Sequence, residues 1–172
     1  MKKITFLFIA LLATGSFWIS AQTDLIIFSY NRPLQLYALL ESVEKNVVGL
    51  SHSFVIYRAD EPYKDAYNQV KKKFASVEFL AQGSQPKTDF KPLTLRALEA
   101  SSSNYVVFAV DDIVVKASID LNECVRLLEQ SRAYGFYLRL GLNLTQCYPY
   151  NNRAQALPPL KKIDEQKKIY SW

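Results

Sequence analysis

The sequence is poor in the residues on which several common chemistries depend. It has five glycines in 172 residues, no GxGxxG run and no Walker-type lysine loop. A glycine-rich phosphate cradle is therefore excluded. There is one histidine, His52, and it lies in a polar "GLSHS" stretch that reads as a turn. There are two cysteines, Cys124 and Cys147, with no CxxC pair. A zinc site and a Ser-His-Asp triad both lack their parts. Cys124 falls on an apolar helical stripe, which suits a buried free thiol, while export would allow one Cys124–Cys147 disulfide. Excess charge is also scarce. The formal net charge is +5, and without Lys2 and Lys3, 19 basic residues face 16 acidic ones. That scattered balance argues against a nucleic-acid partner.

Apolar material is plentiful: 49% of the residues are hydrophobic and 13% aromatic. A chain of this length and composition can bury one domain's core. Residues 1–22 stand apart. "MKK" precedes an uncharged apolar run, "ITFLFIALLATGSFWIS", with the small Ala21 at its end. This order is that of a signal peptide or, uncleaved, of a membrane anchor of roughly 18 residues. Export or membrane attachment is expected on that basis. The domain then covers residues 23–146, and 147–172 read as an irregular or incomplete segment rich in Pro, Asn and Lys.

From Thr23 onward strand and helix patterns alternate. "DLIIFSY" (24–30) suits a buried strand, and Pro33 opens a helix with Leu36, Leu39, Leu40 and Val43 at helical spacing. "SFVIYRAD" (53–60) is a strand, "EPYKDAYNQVKKKF" a helix with lysines near its C-terminal end, and "VEFLA" (77–81) a strand. "QGSQPKTDFKP" (82–92), with two prolines, reads as a loop before the helix "LTLRALEASSS". "YVVFAV" (105–110) has the pattern of a central strand. "DLNECVRLLEQSRA" is a helix facing inward through Leu121, Cys124, Val125 and Leu128, and "GFYLRLGL" (135–142) is a further strand. The alternation predicts an α/β fold with a mostly parallel sheet and helices on both faces.

In such sheets ligands bind outside the carboxyl ends of the strands. Those ends carry Ser29, Tyr30, Asn31 and Arg32, then Arg58 and Asp60, then Asp111 and Asp112. The set suits a polar, multiply charged ligand arriving with a divalent cation. Carboxylates bind Mg²⁺ or Mn²⁺, and the cation carries phosphate oxygens in place of a glycine loop. Adjacent aspartates repel, and a cation between them removes that conflict.

"LIIFSYNRPLQLYALLESV" and "YVVFAVDDIVVK" resemble the first strand–helix unit and the DxD-type acidic motif of family-2-type glycosyltransferases. The resemblance extends over about residues 24–142 and implies a GT-A-like, Rossmann-like fold. It implies a metal-dependent transferase that moves a sugar from a UDP- or GDP-linked donor to an unknown acceptor. Ser29 and Tyr30 would meet the base, Tyr30 by stacking, with Asn31 beside them, and Asp60 would accept a hydrogen bond from the base. Asp111 would meet the ribose or sugar and join Asp112 as metal ligand. Arg32 would face a phosphate, and one of Lys87, Lys91 or Arg96 would be a basic partner of the diphosphate. Here the motif is Asp-Asp-Ile, without a third carboxylate. No catalytic base is identified, because Asp164 and Glu165 sit in a lysine-rich run and read as solvated charges. Arg139 could face the acceptor side, and Asn143-Leu144-Thr145 forms a glycosylation sequon. The alternatives are a non-catalytic, truncated nucleotide-binding remnant of the same fold, or an exported α/β protein of unrelated role.

Overall fold

The computed structural model describes residues 23–138, 145–156, 159–166 and 169–171. The apolar N-terminal segment, Arg139 and most of the sequon lie outside these residues. Among the described residues no helix is long and apolar enough to cross a membrane.

The chain order is β1 (Thr23–Tyr30), α1 (Pro33–Asn46), β2 (Val47–Val48), β3 (Leu50–Arg58) and a 3-10 turn (Glu61–Tyr63). Then follow α2 (Lys64–Lys73), β4 (Glu78–Ala81), α3 (Pro86–Ala100), β5 (Tyr105–Val110), β6 (Ile119–Asp120) and α4 (Leu121–Ser131). Four strands form one parallel sheet in the order β4-β3-β1-β5. The expected mostly parallel α/β architecture is therefore present. β1 lies between β3 and β5, which explains why its sequence is apolar on both faces: Leu25, Ile26 and Ile27 are all buried.

The pleat sorts these residues to two cores. Leu25 and Ile27 pack with Val55 and Tyr57 against Leu36, Leu39, Leu40 and Val43 of α1 and Tyr67 and Val70 of α2. Ile26, Phe54, Ile56 and Leu80 face the other way, onto Ala97 and Leu93 of α3. Each fully buried Leu or Ile stabilises the fold by about 1.5–3 kcal/mol. Helices thus cover both faces, α1 and α2 on one and α3 on the other. α4 lies against β2, which pairs with β6 in a short parallel ladder of its own.

Five local expectations change. His52 is in strand β3, not a turn: its N–H donates to the buried Asp24 Oδ1 at 3.0 Å. α3 starts at Pro86 and runs through Pro92, so most of the expected loop is helix. A proline inside a helix is unfavourable by ~3 kcal/mol. Tertiary contact opposes that cost, since Phe90 in this segment lies on Phe28 with ring centroids 5.0 Å apart. Among the described residues β5 is an edge strand of its sheet rather than the central one expected, and Phe108 and Val110 are exposed. Of the expected strand 135–142, residues 135–138 form no strand, and 139–142 lie outside the described residues. On α4 the buried residues are Leu121, Val125 and Leu127, so Leu127 takes the inward place expected of Leu128.

Beyond residue 145 the expected irregular segment holds short ladders. β7 (Gln146–Cys147) pairs with β8 (Arg153–Ala154), and β9 (Lys161–Asp164) with β10 (Ile169–Ser171), both antiparallel. Cys124 and Cys147 are free thiols, both half-buried. Burial pushes the Cys124 thiol up, with Asp120 and Glu123 adding to it, so it is a packing residue rather than a nucleophile.

Candidate functional site

The strand order reverses direction between β1 and β5, and in open α/β sheets the crevice at such a reversal, outside the carboxyl ends of the strands, is where ligands bind. Register decides what lines it. Phe28 sits opposite Val110, and the Phe28 carbonyl accepts the Asp111 N–H at 3.2 Å. Tyr30 sits opposite Arg58. Ser29 therefore lies level with Asp111, and Tyr30 beside the residues leading to Asp60.

The pleat also separates the two adjacent aspartates. Asp111 continues the face of Val107 and Ala109, towards α1 and α2, and is buried at 4% exposure. The Asp112 side chain is 57% exposed. Ser29 Oγ donates to Asp111 Oδ2 at 2.8 Å, and the Tyr30 N–H donates to the same oxygen at 3.2 Å. Asp111 Oδ1 is turned to Arg32 Nη1 at 3.5 Å. The same nitrogen lies 3.6 Å from Asp112 Oδ2. A single cationic atom thus stands between one oxygen of each carboxylate.

Tyr67 of α2 completes this network. Its hydroxyl is 2.6 Å from Ser29 Oγ and accepts the Arg32 N–H at 3.1 Å. A hydroxyl has one proton to donate. Ser29 gives its proton to Asp111, so Tyr67 gives its own to Ser29. The direction is fixed along the chain from the Arg32 N–H through Tyr67 and Ser29 to Asp111. Burial pushes the Tyr67 phenol up, outweighing the bonds from Ser29 and Arg32, and keeps it a donor.

A second cluster joins the ends of β1 and β3. Asn31 has a left-handed backbone (φ 51°), which asparagine tolerates better than most residues. Its Nδ2 donates to Asp60 Oδ2 at 2.7 Å while its Oδ1 accepts the Asp60 N–H at 2.8 Å. Tyr30 Oη donates to Asp60 Oδ2 at 3.0 Å, and Arg58 reaches Oδ1 at 3.2 Å. The bonds from Asn31 and Tyr30, aided by the Arg58 charge, hold the Asp60 carboxyl below its ordinary range. The Arg58 guanidinium lies 5.0 Å from the centre of the half-exposed Tyr30 ring. Next to the cluster is a pocket of about 200 Å³ lined by Tyr57, Ala59, Lys64, Asn68 and Gln82.

All the rim residues singled out in the sequence therefore meet: Ser29, Arg32, Asp111 and Asp112 in one cluster, Tyr30, Asn31 and Asp60 in the next. The basic candidates on α3 do not share a position. Lys87 and Lys91 lie in its first half, whereas Arg96 pairs at 3.7 Å with Glu78, which opens β4 level with Phe54 in the middle of β3. Glu165 is ion-paired with Lys162. Tyr67 was not foreseen. Its spacing to Val70 and Phe74 marks it as inward-facing, but nothing in the pattern shows where its hydroxyl ends.

Part of the chain is similar to a curated glycosyltransferase. Over 95 residues, 54% of the chain, the sequence is 30% identical to the bifunctional glycosyltransferase pgtA of Dictyostelium discoideum. The chain spans 12% of that protein's length. The resemblance to glycosyltransferases read from the two motifs is thereby supported. Among solved structures, 4-diphosphocytidyl-2C-methyl-D-erythritol synthase aligns with a TM-score of 0.43 and 15% identity, over 66% of this chain and 56% of that one. No family model matches the chain.

Proposed function

We propose that this domain binds a nucleotide-diphosphate sugar at the β1/β5 crevice and serves a metal-dependent glycosyltransferase. The observation that carries the reading is the pair of clusters at the crevice. One presents an aromatic ring and a fixed carboxylate, the other presents two carboxylates around a cation. Similarity to a protein named as a glycosyltransferase supports the same reading.

Tyr30 offers its ring to the base beside Asp60, which Asn31 and Arg58 hold ionised. Asp111 is anchored through Oδ2 and leaves Oδ1 turned outward, towards the ribose or a cation. The donor set fits Mg²⁺ or Mn²⁺, which take one or two carboxylates and complete their shell with water and phosphate oxygens. Such a cation, held by Asp112 and Asp111, would neutralise the leaving diphosphate. Arg32 supplies positive charge at the same place. These groups do not identify the base that would deprotonate the acceptor.

Calorimetry with UDP and GDP, each with Mn²⁺ or Mg²⁺, tests the reading. A nucleotide that binds at least tenfold more tightly with metal is the expected result, and Asp112→Ala should remove that dependence. Folded protein that gives no heat with any combination would overturn it.

A further inference from the structure

We propose that Arg32 is the resident counter-ion of the Asp111–Asp112 pair and that a divalent cation enters the site by displacing its guanidinium. This inference rests on the metal reading above and adds a named competitor to it.

Two carboxylates on neighbouring residues repel. In the structure one nitrogen, Arg32 Nη1, faces both, at 3.5 Å from Asp111 Oδ1 and 3.6 Å from Asp112 Oδ2. These are the two oxygens aimed at a common point. Asp111 Oδ2 is already occupied by Ser29 and the Tyr30 N–H. A dication that uses both carboxylates must therefore take the place where Nη1 stands.

The arginine is built to yield that place. Both contacts exceed the ~2.7–2.9 Å of a tight charge-assisted hydrogen bond, and the pairing is not the parallel fork of a bidentate ion pair. The Arg32 side chain is 52% exposed, so water can receive the head group. Its backbone, in contrast, is fixed. The Arg32 N–H donates to the Tyr67 hydroxyl and its carbonyl accepts the Leu36 N–H at 3.0 Å. The guanidinium can swing on a stem whose root does not move. Arg32 precedes α1 with no side-chain capping bond, so the helix start does not hold it either.

Manganese alone is the probe, added to the full chain without nucleotide and followed by the EPR signal of free Mn²⁺. Wild type, Arg32→Met, Arg32→Lys and Asp112→Asn are compared, with circular dichroism melts confirming that each is folded. Two long contacts to a half-exposed arginine, each counted at the strength of an ordinary solvent-screened ion pair, correspond to roughly fivefold in affinity. Arg32→Met should bind Mn²⁺ about fivefold more tightly than wild type. Arg32→Lys, which keeps the charge, should stay near wild type, and Asp112→Asn should weaken binding. If wild type binds Mn²⁺ and Arg32→Met binds it equally or more weakly, the displacement proposal is overturned while the metal reading stands. If no folded variant binds Mn²⁺, the metal reading fails and the displacement proposal with it.

Discussion

The sheet has a buried aspartate at each end, and the two are used differently. Asp24, near the start of β1, is completely buried. Its Oδ1 accepts from the His52 N–H at 3.0 Å and Ser103 Oγ at 2.7 Å, and its Oδ2 from Ser101 Oγ at 2.5 Å. Both oxygens are saturated by the protein. Asp111, beyond the end of β5, takes two protein donors on one oxygen and turns the other to the Arg32 guanidinium. The amino end spends its carboxylate on joining β1, β3 and the segment after α3. The carboxyl end leaves one oxygen of its carboxylate facing a half-exposed arginine, the oxygen proposed above to meet a ligand. Burial alone does not distinguish a structural aspartate from a binding one; the destination of each oxygen does.

The largest expected effect comes from a matched pair of substitutions. Asp24→Asn must place an amide N–H₂ against at least one donor, in a fully buried site. Leaving buried hydrogen-bonding groups unpaired costs about 1–3 kcal/mol each, so a loss near 3 kcal/mol is expected in urea denaturation. Asp111→Asn can keep its carbonyl oxygen under Ser29 and Tyr30 and turn the amide to the rim. It should lose only about 1 kcal/mol of stability. Equal losses in the two variants would remove the distinction.

A smaller effect is expected from Tyr67→Phe. It leaves the Arg32 N–H without its acceptor and the buried Ser29 Oγ without its donor, at about 2 kcal/mol. If the hydroxyl chain serves the ligand end, nucleotide affinity should fall further than stability does. Loss of stability alone would make Tyr67 the counterpart of Ser101 and Ser103.

The smallest effect concerns pH. Asp60 has its pKa lowered from 3.8 by folding, through its bonds to Asn31 and Tyr30. A depressed carboxylate contributes stability that is present above the unfolded value and is lost as pH falls through the lower folded one. Wild type should therefore lose stability below about pH 4, and Asp60→Asn should lose less over that interval. Parallel curves for the two proteins in acid titration would show that the Asn31–Asp60 link does not depend on the charge.

The same contrast explains what the sequence made legible. Strands β1, β3, β4 and β5 and their mostly parallel direction were readable, because apolar runs bounded by polar residues survive any tertiary detail. The gathering of Ser29, Asp60 and Asp111 followed from topology alone, since parallel strands put all their carboxyl ends on one rim. The helical course through Pro92 was not readable, because the favourable contact is between Phe90 and Phe28, 62 positions apart in the chain. The edge position of β5 was hidden for a similar reason: "YVVFAV" has the composition of a strand flanked on both sides. The short ladders after residue 145 span two to four residues per strand, too few for a period of two to stand out. Role was less legible than place. Asp24 carries no motif, and only the atoms around it separate it from Asp111.

The reciprocal bonds between Asn31 and Asp60 have a further consequence. They lock the ends of β1 and β3 to one another, and the Tyr30 hydroxyl is tied to the same carboxylate. The aromatic platform is thus positioned before any ligand arrives. Ordering a side chain at an interface costs about 0.5–1.5 kcal/mol on binding. For Tyr30 that entropy is lost during folding, so a flat ring that lands on it need only surrender its own freedom.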